Sequence, residues 1–158
     1  MNPLPLPIHP FDLVVARTIA APARALFRCW TEPELLRQWF VPHPWSVSHA
    51  AVDLRVGGQS LVTMRDIRGN EYPNPAVFLE IIADRRLVMF NGWGDGWVPH
   101  NVTPMLCILD FAAEGNGTRH TARIRHWTEE ARDEHDHRGF GPSWNLAFDR
   151  LAALATTL

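Results

Sequence analysis

The side chains best placed to act on another molecule are a few histidines and a larger set of aromatics. His120 and His126 share one parity of the stretch Thr118 to Trp127, with Ala122 and Ile124, while Arg119, Thr121, Arg123 and Arg125 take the other. Alternate side chains of an extended strand point to opposite faces, so the pattern predicts that the imidazoles turn inward and the arginines face water. An inward neutral imidazole can hydrogen-bond a ligand carbonyl or serve as acid or base near neutral pH. The plainer role is that of a satisfied histidine near a strand end. His135-Asp136-His137 sets two imidazoles two residues apart, which in an extended loop could share a metal. The pattern offers no third ligand, and a charged turn explains the run equally well, so neither metal nor cofactor is expected. No serine, cysteine or lysine stands in a nucleophile setting, and catalytic residues stay unassigned.

Among the aromatics, Trp93 and Trp97 sit on a glycine-spaced connection, Gly92 to Trp97. It lacks the strand, turn and helix that a dinucleotide fingerprint requires, so it is not read as a phosphate cradle. Trp39, Phe40 and Trp45 lie where a short helix hands over to the sheet, and either group can line a cavity mouth. With Met64, Met105, His120, His126, Trp144 and Phe148 these residues form the candidate ligand-binding set. For Trp30 and Trp144 plain core packing is the competing role.

Those residues need elements to hold them. From Gly139 to Leu158 the apolar residues Trp144, Ala147, Phe148, Leu151, Leu154, Ala155 and Leu158 recur at the three-and-four spacing of one helix face, with Pro142 suited to the first turn. Such a helix is roughly 25 Å long, short for a bilayer and polar on its far side, so its stripe needs a protein surface. The rest of the chain reads as a sheet. Asp12 to Ala20 is a first strand, and two short helices follow, Pro22 to Trp30 and one begun by Thr31-Glu32-Pro33-Glu34, which has the form of a capping box. Strands are then predicted at Trp45–Leu54, Gln59–Arg65, Ala76–Ile82 and Leu87–Trp93. A closing hairpin, Met105–Ala112 and Thr118–Trp127, turns through Asn116-Gly117, and Thr128 can cap a short helical turn. The expected fold class is α+β: a curled antiparallel sheet of about seven strands wrapped around the last helix, with room between them for a small apolar molecule.

At 158 residues, with 15 basic and 17 acidic side chains, the composition suits one globular domain without the basic excess of a nucleic-acid binder. Residues 1–11 read as a proline-rich lead-in, pinned by Leu4, Leu6 and Ile8, and residues 12–158 as the domain. Neither a leader nor a membrane span is expected. Cys29 and Cys107 lack the close spacing of a zinc or redox pair and are read as reduced, which with the unremarkable N-terminus suggests a cytoplasmic setting. A homodimer is compatible with the sequence.

The ordered motifs Arg17-Thr18-Ile19-Ala20-Ala21-Pro22, Trp30-Thr31-Glu32-Pro33-Glu34, Asp53-Leu54-Arg55-Val56-Gly57-Gly58, Leu79-Glu80-Ile81 and Arg86-Leu87-Val88 run across most of the chain. With Gly139-Phe140, Trp144 and Asp149-Arg150-Leu151, they resemble the homologues of the activator of heat-shock-protein ATPase, within the START-like (SRPBCC) superfamily. The resemblance implies a helix-grip fold. It also implies three functional classes: binding of a small, mainly apolar ligand in the cavity, a cyclase- or dehydratase-like enzyme using pocket histidines, or contact with a chaperone. Ser143 stands where the family often has glycine.

Overall fold

The computed structural model describes residues 2–158. In chain order it contains β1 (Asp12–Ile19), α1 (Ala23–Thr31), α2 (Pro33–Trp39), β2 (Ser46–Val52), β3 (Gln59–Arg65), β4 (Glu71–Ile82) and β5 (Arg86–Phe90). A 3-10 turn at Asp95–Trp97 precedes β6 (Met105–Glu114), β7 (Gly117–His126), α3 (Glu129–His137) and α4 (Phe140–Ala155). The seven strands make one antiparallel sheet in the order β1-β7-β6-β5-β4-β3-β2. Consecutive strands are neighbours from β2 to β7, and β1 closes the row by pairing with β7 from Asp12↔Arg125 to Ile19↔Thr118. The α1–α2 pair therefore carries the chain from one edge of the sheet to the other. The sheet curls around α4, giving an α+β helix-grip fold.

Helix α4 buries Phe140, Ala147, Phe148, Leu151 and Ala155. These residues meet Leu26, Trp39, Phe78, Leu87 and Leu109, all closed to solvent, in a single core between helix and sheet. Gly139 enters the helix at φ 94°, a left-handed conformation that suits a residue without a Cβ. The stripe predicted for this helix is kept in the middle and relaxed at its ends: Trp144 and Leu154 are half-buried and Leu158 is exposed.

Four local expectations are corrected. Thr31 does not open α2: it ends α1, its hydroxyl donating to the Phe27 carbonyl at 2.8 Å, and α2 begins at Pro33 after Glu32. A proline with preset φ starts the helix there, and no capping box forms. The closing hairpin turns through Gly115-Asn116 rather than Asn116-Gly117, because Glu114 pairs with Gly117 and Gly115 carries the positive φ. Gly117 instead serves a close approach, since a Cβ there would lie 2.3 Å from the Ile19 carbonyl oxygen. The turn after Thr128 is a full helix, α3, capped as expected by the Thr128 hydroxyl accepting from the Ala131 N–H at 3.1 Å.

The fourth correction concerns the arginines of β7. Arg123 is buried and Arg125 is half-buried, and neither simply faces water. Arg123 donates to the carbonyls of Leu6 at 2.7 Å and Pro7 at 3.2 Å, Arg125 donates to Pro7 at 3.1 Å, and Arg86 of β5 donates to Leu4 at 2.6 Å. The proline-rich N-terminal segment thus lies as a strap across the outer face of β5 to β7. It is held mainly through its main chain: of the three expected apolar pins Leu6 is half-buried, while Leu4 and Ile8 stay mostly exposed. Asp110 anchors the other side of the clamp, accepting from Arg86 at 2.6 Å and Arg123 at 3.4 Å. Asp12 ties the start of β1 to Arg125; burial pushes its carboxyl up, but the Arg125 fork and the His9 N–H outweigh it and leave the pKa below the usual range.

Candidate functional site

Between α4 and the inner face of the sheet lies a half-open cavity of about 340 Å³. Its floor comes from inward positions of successive strands: Val62 and Met64 of β3, Ala76 of β4, Met89 of β5, Met105 and Cys107 of β6, and Ile124 of β7. Its helical wall is Trp30 of α1, Leu36 of α2, Phe40 just beyond it, and Trp144 and Ala147 of α4. Trp144 stacks on Trp30 at 6.0 Å and meets Phe40 edge-on at 5.8 Å, so the aromatic wall supports itself. Polar groups are few: Ser60, Asn74, Asn91, His135 and Ser143. Asn91 is occupied, its Oδ1 accepting from the Met105 N–H at 2.7 Å and its Nδ2 donating to the Thr103 carbonyl at 3.0 Å.

Of the eleven candidate residues named from the sequence, the structure brings Phe40, Met64, Met105 and Trp144 to this cavity. Trp39 and Phe148 lie behind the wall, fully buried, with the Trp39 indole donating to the Cys29 carbonyl at 2.9 Å. Trp45 is exposed beside Tyr72, 5.3 Å away. Trp93 and Trp97 are on the surface, 5.8 Å apart, and do not form the cavity rim. Trp97 turns toward the β2–β3 turn, where a Cβ on Gly57 (φ 85°) would stand 2.9 Å from its ring.

His120 points inward as expected, yet it is not a ligand contact. Its Nε2 accepts the Trp30 indole N–H at 3.0 Å, and its Nδ1–H donates to the Asp110 carbonyl at 2.9 Å. The ring is sandwiched between Phe111 at 4.6 Å and Phe148 at 5.0 Å. Both nitrogens are spent and the group is closed to solvent, and burial pushes its pKa down to about 4 despite the Asp110 carbonyl.

His126 is buried too, and its Nδ1–H donates to the Phe11 carbonyl at 2.9 Å. Its other nitrogen, Nε2, lies 2.9 Å from Nδ1 of His135. The His135-Asp136-His137 run is helical, not an extended loop, so residues two apart point to different sides: His135 faces His126 and the cavity, while His137 is exposed. A shared metal geometry for His135 and His137 is thereby lost. His135 is the functional candidate that alternation could not find. Its helix has no apolar stripe, and its tie to β7 is a contact between two imidazoles. Burial first, then His126 and Arg138, hold the His135 pKa below the usual range.

Comparisons place this geometry among known proteins. A family model described as activator of Hsp90 ATPase homolog 1-like protein matches residues 20–156. The chain is similar to a crystal structure of a protein from Nitrosomonas europaea, with 36% identity, 95% and 97% of the two chains covered and a TM-score of 0.90. A crystal structure from Rhodobacter sphaeroides shares the fold at 19% identity, covering 93% of each chain with a TM-score of 0.82. So does a solution structure of an AHSA1-like protein from Aeromonas hydrophila, at 18% identity, 92% of each chain and a TM-score of 0.70. Among curated proteins none matches. No helix among the described residues is long and apolar enough to cross a membrane.

Proposed function

Since this chain belongs to the family of activator of Hsp90 ATPase homolog 1-like proteins, whose helix-grip frame leaves space beside its last helix, we propose that it binds one small, mainly apolar molecule between α4 and the sheet. The observation that carries the reading is the cavity of about 340 Å³, walled by Trp30, Phe40 and Trp144 and floored by Met64, Met89 and Met105. Apolar walls with a few placed polar groups, on a framework already folded around the space, are what small-ligand sites are made of. Methionine floors adapt to ligand shape, and two tryptophans report on occupancy.

Naphthalene and biphenyl are suitable first probes. Each is expected to bind at one equivalent by calorimetry, to change tryptophan emission, and to stabilise the fold by about 2.7 kcal/mol at a hundredfold excess over Kd. Filling the cavity through Ala76→Phe should abolish these effects while the protein stays folded. Absence of both saturable binding and thermal shift would defeat the proposal.

A second reading, contact with a protein partner such as the chaperone for which the family is named, draws on an exposed aromatic strip. Trp97, Trp93, Phe90 and Trp127 follow one another at centroid spacings of 5.8, 4.9 and 5.6 Å along the outer surface. Its test is the ATPase rate of Hsp90 with added protein: stimulation by the parent and loss of it in Trp93→Ser/Trp127→Ser would favour this reading over the cavity.

A further inference from the structure

The hydrogen bonds around His126 and His135 fix the chemical character of one atom in the cavity. Phe11 offers a carbonyl, which can only accept, so His126 Nδ1 must carry its proton. A neutral His126 then has a bare Nε2, which can only accept, so His135 Nδ1 must be the donor across the 2.9 Å contact. A neutral His135 that donates from Nδ1 has its lone pair on Nε2. Among the described residues Nε2 makes no hydrogen bond, and its ring lines the cavity. The relay therefore runs from a backbone carbonyl through two imidazoles and ends in an unengaged acceptor on a half-buried ring that lines the cavity.

The other polar groups there do not compete for the assignment. Asn91 is committed on both sides, and the Ser60 and Ser143 hydroxyls and the exposed Asn74 amide can each donate or accept and so do not discriminate. The acceptor also keeps its form at neutral pH. The groups around His135 are Asp136 and Arg138 on its own helix, His126 from β7 and the uncharged Phe140 of α4 at 5.2 Å. Burial, His126 and Arg138 together outweigh Asp136 in disfavouring the imidazolium.

We infer that the ligand carries a hydrogen-bond donor, an N–H or O–H on an otherwise apolar and preferably aromatic frame, and that this donor docks on Nε2 of His135. The inference rests on the cavity being the ligand site. An apolar molecule with no donor leaves Nε2 dry and unpaired, and one with an acceptor in that place meets it lone pair to lone pair. A proton taken up by the relay lands on Nε2, the nitrogen not yet engaged, and turns the acceptor into a donor, so the preference reverses in acid.

Indole and benzofuran test this, because they share shape and differ in presenting an N–H or an ether oxygen. At pH 8, calorimetric titration should find indole bound about three- to tenfold tighter than benzofuran, with the ratio falling toward one in His135→Phe. Nitrogen NMR of the histidine rings in the parent protein should show His135 protonated on Nδ1 and bare on Nε2, a readout independent of any variant's folding. Equal affinities in the parent, or an Nε2-protonated tautomer at pH 8, would overturn the inference and leave the cavity proposal standing if naphthalene still binds. Failure of naphthalene, indole and benzofuran alike would take both away.

Discussion

At the scale of single residues, His120 stands apart as a titratable group built wholly into the core. Its folded pKa of about 4 lies below the ordinary value of about 6.5, so it stabilises the fold while neutral. That contribution is present above about pH 6.5 and is lost as pH falls toward 4, where the unfolded chain takes up a proton that the folded chain refuses. The loss amounts to roughly 3 kcal/mol over that window. His120→Phe should be less stable than the parent at pH 7 by about 1 to 3 kcal/mol, because the Trp30 N–H is left without an acceptor. The gap should shrink or reverse by pH 4, as urea midpoints would show. Cys107 gives a second prediction: it faces the cavity, and burial pushes its thiol up to about 12, so alkylation by iodoacetamide at pH 8 should be slow and slower still with naphthalene bound. The inward turn of His120 was legible in the alternation of its strand. What it meets was not, since the Trp30 indole and the Asp110 carbonyl come from other elements and settle whether an inward histidine is free or spent.

Among the elements, α4 is the one whose truncation should be felt most. Phe148 is closed to solvent and stacks on His120, and Leu151 is equally buried. Either residue changed to alanine should lower stability by about 2 to 5 kcal/mol in denaturant titration. The strap is a different kind of element, held by four arginine donors, Arg85, Arg86, Arg123 and Arg125, and no ladder. Deleting residues 2–9 should lower stability by about 1 to 3 kcal/mol, since lost charge-assisted bonds are offset by freed chain entropy and rehydration. Affinity for naphthalene should not change, because the strap and the cavity lie on opposite faces of the sheet. The long helix, the two short helices and the strands of the sheet could be read from periodicity and turn residues. The strap's grip could not, because alternation assigns a side chain to a face and is silent on what covers that face. The full length of α3 escaped for a related reason: Glu129 to His137 carries almost no apolar side chain, so the helix period has nothing to mark it.

For the molecule as a whole, the sheet is a partition with different chemistry on its two sides. Inside, the walls are mainly hydrocarbon and sulfur, with one imidazole and a few hydroxyls and amides; outside, arginine forks hold an extended segment chiefly by its main chain. Apart from Arg85, which donates to the Asn2 side chain at 3.0 Å, those arginines grasp carbonyl oxygens, which every amino acid possesses alike, so the recognition carries little message about which side chains the strap bears. The strap is therefore free to drift in spelling while its path stays fixed, and the information it must retain is the stiffness that Pro3, Pro5 and Pro7 lend the backbone. Replacing exposed Leu4 and Ile8 together by serine should leave the unfolding midpoint within about 0.5 kcal/mol of the parent. Replacing the three prolines by glycine should loosen the segment to proteases, although every carbonyl that the arginines grasp remains.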